Sequence, residues 1–548
     1  MKHVSIIFLF CLLSVSVFSQ TSTQGTDFWV AFGKPESPDT TRSMQIRIVA
    51  SKTTVVKWIF TANPGLNFQD TIPAGGVHTK KLSMDEKKAV HTPHYGDTKN
   101  SLHLQTDEPV SVYAITQRAT STDATNILPV SDLGMDYYHI SYVPDFDDGF
   151  VAVAIEDNTY IYQDGKQLGN VMLAGDVLGY YYGPTDKTGM HITSNKPIAY
   201  FVANDAVTVP TGINSADCLY QQMMPVHTWG THFLVPVSEQ GVTRTRVVAS
   251  QDKTTFTQVR RDDQDKLVID TLTLDAGKFA EWETLSKEKG CFISSDKPVG
   301  VVSFLVGIYH SLLEKKMGDP SMTWIPPVEQ TIDSVSIAPF IPKGKSVLKE
   351  HHAMIITPTA TRDQTTLSLG GSVPAALSGG KWTTSHADYS YYSLQLTDSI
   401  DSYLFANPKG LTVLGYGLGD AESYYYLAGA AARNLNANFF VNDIPYQEIE
   451  GREFCDTLSF RIRSEISYVM SAAPGFLTWW IDGDEQLQAR DQREWVWDKN
   501  LIPGEHTITM EIVDASGKRF SFSTHIILCG SYSPNYKIPV NPQIKAGY

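Results

Sequence analysis

A chain of 548 residues is too long for a single hydrophobic core, so several domains are expected. With 42% apolar and 19% charged residues, its composition is that of a globular protein rather than a disordered or membrane-embedded one. A formal net charge of -15 argues against nucleic acid, which demands clustered Lys and Arg, and against electrostatic docking on anionic lipid.

The N-terminus reads as an export signal. Lys2 and His3 precede an apolar run over residues 4–18, small residues close it at Ser19, and a polar stretch follows at once. The run is short for a bilayer span, so a signal peptide over residues 1–19 is expected, with no transmembrane segment after cleavage. Cys11 leaves with it. Four cysteines remain, Cys218, Cys291, Cys455 and Cys529, an even count compatible with disulfides. Proximity within the presumed domains favours Cys218 with Cys291 and Cys455 with Cys529; four buried thiols is the other reading. With no C-x-x-C or Cys/His cluster, neither a zinc site nor any other cofactor is expected.

Residues 24–433 carry short, often alternating apolar runs separated by Gly, Pro, Asn and Asp, an all-β signature. Residues 44–50 alternate well, and residues 160–168 read as a hairpin with Asp164 and Gly165 at a tight turn. Internal repetition is more informative. Turn residues, a proline and a β-rich run recur at Pro109, Pro197 and Pro298, with a degenerate fourth copy at Asn407-Pro408. Proline suits the first position of a strand, where no ladder amide is lost. Pro-bounded segments follow over residues 129–144, 225–236 and 326–339, and Ile48-Val49-Ala50-Ser51 is echoed by Val247-Val248-Ala249-Ser250.

These echoes predict about four β-sandwich-like units opening near residues 44, 150, 245 and 352, sharing one continuous core. A propeller-like ring is the alternative, though propeller blades are typically shorter. From residue 436 to 530 the pattern predicts a further β-sandwich, with Trp479 or Trp480 as a core aromatic and a bridge from Cys455 to Cys529. Residues 531–548 hold no periodic pattern and read as a tail.

Several motifs in order carry a resemblance: Gln24-Gly25-Thr26-Asp27-Phe28-Trp29, then Asp217-Cys218-Leu219-Tyr220-Gln221-Gln222 leading to Pro225, then Thr228-Trp229-Gly230, and Asp319-Pro320 ahead of Pro326-Pro327. Together they resemble the N-terminal domain of IgGFc-binding proteins over residues 24–433, a family of animal mucus proteins and of secreted proteins of Bacteroidetes-type bacteria. Residues 504–518 resemble the late strands of PKD and other Ig-like domains, and the combination looks bacterial. The resemblance implies an extracellular, non-enzymatic, adhesive role. It supplies no binding residues.

Local chemistry is sparse. His91 and His94 have ligand-like spacing without a third ligand, and His351 and His352 on one strand would point to opposite faces. Two acidic groups, Asp145 with Asp147 and Asp148, and Asp262 with Asp263 and Asp265, are candidates for calcium, although acidic turns are common between strands. Asp482-Gly483-Asp484 reads first as a turn. Tyr180–182, Tyr424–426 and the pair Trp495 and Trp497 are candidates for gripping sugar rings, with core the favoured place for the tryptophans. No hydrolase, kinase or metalloprotease signature is present. The sequence therefore predicts a secreted or surface binding protein, possible partners being mucus glycoprotein or immunoglobulin. A carbohydrate-binding component is the alternative, and a hydrolase with scattered residues a third reading.

Overall fold

The computed structural model describes residues 22–34, 43–118, 121–262, 264–339, 347–397, 400, 402–433, 435, 437–446, 449, 451–455, 459–466, 474–498, 502–513 and 519–529. The predicted signal peptide, Asp263 and the predicted tail lie outside these residues. The chain forms two compact units, Met1–Arg433 and Asn434–Tyr548. Among the described residues, no helix is long and apolar enough to cross a membrane.

Four copies of one β repeat make up the first unit. Each is built on a strand of 15 to 17 residues: Leu102–Arg118, His191–Val207, Cys291–Leu305 and Tyr403–Gly419. The repeated prolines fall inside these strands rather than at their starts, and a change of partner explains why. In the first repeat Thr54–Phe60 pairs with residues 102–106 and Ser43–Ala50 with residues 110–117, which leaves 107–109 outside both ladders. The same gap spans 195–197, 296–298 and 407–411. Proline has no amide to lose there. In the first three copies the hydroxyl of Thr106, Ser194 or Ser295 donates to the carbonyl two residues ahead, at 2.6–2.8 Å, which fixes the bend.

Each long strand therefore takes different partners on its two halves, and each repeat is one curled, sandwich-like sheet. On its second half an inner strand pairs with it: Ser121–Ile127, Asp217–Gln222, Ser321–Trp324 and Glu422–Gly429 in turn. Each inner strand packs against the next, and the fourth packs against the first. The tandem repeats thus close into a ring. The chain start seals it, because Thr23 N donates to Ala430 O at 2.9 Å while Gly25–Val30 pairs with the first long strand.

Closure leaves the free edges of the inner strands facing one another at the axis, and their amides need acceptors. Side chains supply them. Asp123, fully buried, accepts from Ala124 N at 2.8 Å and Tyr220 N at 3.0 Å. One side chain thereby joins the first two inner strands. Asp217 accepts from Thr122 N at 3.2 Å, Thr125 Oγ1 from Gln222 N at 2.9 Å, and Gln222 Oε1 from Leu128 N at 2.8 Å.

Glycine sets the approach of neighbouring repeats. A Cβ on Gly25, Gly134 or Gly230 would lie 2.3–2.5 Å from Pro129, Pro225 or Pro327 of the following repeat. Arginine locks two of the joints. Arg47 and Arg246 hold equivalent places, three residues before Ala50 and Ala249, which pair with Val110 and Val299 just after the repeated prolines. Arg47 donates to Ala338 O and Pro339 O of the fourth repeat, and Arg246 to Ser141 O of the second at 2.6 Å. Arg246 also binds Asp186 at 2.8 Å and Glu281, and lies 4.2 Å over the Tyr142 ring. Val151 holds this place in the second repeat.

The second unit is a two-sheet sandwich. One sheet contains Ala437–Val441, Phe460–Ile466 and Glu494–Trp497; the other contains Leu477–Ile481, Gly504–Val513 and Arg519–Leu528. Phe439, Trp479, Trp495, Trp497 and Met510 share its core, so the paired tryptophans face inward. Cys455 and Cys529 are joined by a disulfide across neighbouring strand ends. The pairing of Cys218 with Cys291 is corrected: both thiols are buried and neither is in a disulfide. Cys218 lies on the inner strand of the second repeat and Cys291 opens the long strand of the third, so sequence proximity did not bring them together.

Candidate functional site

The second, third and fourth of the hairpins that join a long strand to its inner strand gather at one end of the ring. Gly307 N donates to Val209 O at 2.9 Å, and Gly318 N to Gly419 O at 2.7 Å. The connection between Gly419 and Glu422 is a turn of two residues, whereas those over 208–216 and 306–320 are long. The long ones carry what closure did not use. Tyr309 and Leu312 are 69% and 50% exposed, and Phe146, beside the second hairpin through the bond from Asp145 N to Ala206 O, is 57% exposed. By contrast Tyr424, Tyr425 and Tyr426 are fully buried and Tyr180–182 are half-buried.

Beside Phe146, Lys34 reaches Asp147 and, at 3.4 Å, Asp205. Burial pulls the Lys34 amine down, but these two carboxylates more than offset it, so the amine is held above its usual range. A cavity of about 20 Å³ lies beneath, lined by Phe32, Lys34, Asn204 and Cys218 among others, room for about one water molecule. Deeper, Asp319 accepts a short bond from Ser215 Oγ, and its main chain bonds Ser423 Oγ. Asp217, Asp319 and Glu422 influence one another electrostatically there.

Burial raises five carboxyls in the ring: Asp123 and Asp217 well above the usual range, Asp319 to about 6, Asp132 to about 8, and Asp205 above its ordinary value. In the unfolded chain an aspartate titrates near ~3.9, so between that value and the folded one the native state holds the extra proton. Stability is then full below about pH 4 and is lost as pH rises through about 6 and about 8. Urea unfolding should accordingly show a fall of about 5 kcal/mol from pH 5 to pH 9 through Asp319 and Asp132. Asp132→Asn should flatten the upper part of that slope; an unchanged slope would refute the assignment.

Other candidates disperse. His91 is half-buried and His94 exposed. His351 bonds Tyr424 Oη at 2.7 Å and His352 bonds Glu350 at 3.0 Å. Asp148 is buried against His139 at 3.0 Å, Asp147 holds Lys34, and Asp265 pairs with Lys289 at 2.7 Å. Asp262 caps the amides of Gln264 and Lys266. Asp482 bonds His506 at 2.7 Å at its turn. Among the described residues, the one group of three donors within metal-ligand reach is Glu453, Cys455 and Cys529, whose sulfurs are already bonded to each other.

A wider polar recess of about 250 Å³, lined by Asp27, Lys57, Gln105 and Asp107, holds two carboxylates. Burial pushes Asp27 up, but His103 at 2.8 Å and Gln105 at 3.3 Å more than compensate, so it stays below its usual range. A carboxylate so held is a poor proton donor at neutral pH. Sequence reading missed Lys34, Phe146, Tyr309 and Leu312. Tyr309 and Leu312 lie in the longest stretch between a long strand and its inner strand, the signal that could have found them.

The profile of the family described as "IgGFc binding protein" matches residues 123–417, just over half of the chain. The human (Homo sapiens) IgGFc-binding protein is 23% identical over 342 residues, 59% of this chain but 6% of that protein. Among solved structures, fibronectin(III)-like modules of Clostridium thermocellum CbhA align at 11% identity over 36% of this chain and 86% of theirs, with a TM-score of 0.13. A Ca2+-stabilized adhesin of an Antarctic bacterium aligns at 9% identity over 77% and 94%, with a TM-score of 0.12. Those scores are too low to indicate a shared arrangement. The family match takes in the long strands of the second and third repeats and most of that of the fourth, and the chain belongs to the IgGFc-binding protein family.

Proposed function

We propose that this chain is a secreted or surface-held, non-enzymatic binding protein of the adhesin kind, engaging an extracellular glycoprotein through the hairpin end of its ring. The observation that carries the reading is the exposure of Tyr309, Leu312 and Phe146 at the end where the hairpins gather. A closed ring holds such loops in fixed relation, which lowers the entropy lost on binding. The C-terminal sandwich is read as a PKD-like spacer, and the leader over residues 1–19 as the export signal. Family membership supports an extracellular setting.

The test is capture of mucin and of immunoglobulin on immobilised protein, at low and moderate salt and with or without calcium. Tyr309→Ala combined with Phe146→Ala should weaken capture about tenfold or more, because buried aromatics dominate interface energetics. Capture of neither ligand by the wild type would count against the reading. Exposed rings also favour a second reading, in which the ligand is a glycan alone. A glycan array separates the two, since a lectin prefers defined sugars.

A further inference from the structure

The outermost strand of the third repeat, Leu267–Leu274, pairs with Thr254–Arg261 on one side only, and none of its residues is buried. Leu267, Ile269 and Leu272 are 55%, 62% and 43% exposed. The corresponding edges of the other repeats are blunted. Phe68–Ile72 is short and stacks Phe68 on Trp58, Lys166–Met172 buries Leu168 and Met172, and Ala375–Ala376 has two residues. Proteins rarely leave a long, apolar, uncharged edge open to water without a strand to pair with it.

We propose that Leu267–Leu274 pairs antiparallel with the same strand of a second copy of this chain. The charge pattern selects the occupant and the register. Asp270 is the strand's one charged residue, and it is held by Arg260 at 3.1 Å. A two-fold axis perpendicular to the sheet must pass through a residue, because facing residues share a side. Centred on Asp270, the axis sets two carboxylates against each other. Centred on Thr271, it sets Asp270 opposite Leu272, Val268 opposite Leu274 and Ile269 opposite Thr273, with the two Thr271 side chains facing. No like charges meet, and every strand residue from Val268 onward gains a partner.

This interface is separate from the hairpin end, so its test does not depend on ligand binding. Each copy carries -15 charges, so added salt should strengthen the pairing by screening the repulsion between copies. Sedimentation velocity of the full chain should show a dimer that grows with concentration and salt. Ile269→Lys should weaken it about tenfold or more. Under mild oxidation Thr271→Cys should cross-link two copies, whereas Ile269→Cys should not, its two sulfurs being four residues out of register. A monomer at every concentration and salt level overturns the proposal, as does a dimer indifferent to Ile269→Lys or cross-linked more readily through Ile269→Cys.

Discussion

Asp123→Ala is expected to destabilise the ring by about 1–3 kcal/mol, read as the shift of its urea unfolding midpoint. The carboxyl is fully buried and accepts the main-chain amide of Tyr220 from the neighbouring inner strand. A buried donor left without an acceptor costs roughly 1–3 kcal/mol, and alanine orphans that of Tyr220. Asp123→Asn keeps one acceptor oxygen and should recover about half of the loss. A change below about 1 kcal/mol for the alanine variant would mean that the ring is not held at its axis.

Removing Arg246 comes second. Arg246→Ala is expected to cost about 3–4 kcal/mol at neutral pH, because it strips Asp186 of its cation inside the joint between the second and third repeats. Glu281 suffers less, since Arg244 still bonds it. Burial pushes the Asp186 carboxyl up, but Arg246 and Thr188 more than compensate and hold it below the usual range. A lowered carboxyl stabilises the fold above its unfolded value and stops doing so as pH falls through its folded one. The gap between wild type and Arg246→Ala should therefore hold from pH 7 to about pH 4 and narrow as pH falls further. A gap that stays constant or widens there would show that packing of the guanidinium, not its charge, joins the repeats.

Much of the architecture was legible because repetition is a local signal. Pro109, Pro197 and Pro298 mark equivalent bends, and even the degenerate Asn407-Pro408 lies within the fourth long strand. Their place within the strand was not legible, since nothing near a proline in sequence says that its neighbours change partners there. The inward facing of Trp495 and Trp497 was readable from their spacing, because residues two apart on a strand share a face. The proposed binding surface was hardly legible at all. Tyr309 differs from the buried Tyr425 only in what the ring places around it.

By itself, then, the sequence determined an all-β chain of repeated units with a separate C-terminal sandwich, because period-two patterning and turn residues act over a few neighbours. Tertiary structure alone decided that the row closes on itself, that a buried aspartate bridges two inner strands, and that Cys218 and Cys291 are not joined. Those outcomes depend on contacts between residues about a hundred or more positions apart, and edge amides that only meet after closure leave no trace in local pattern.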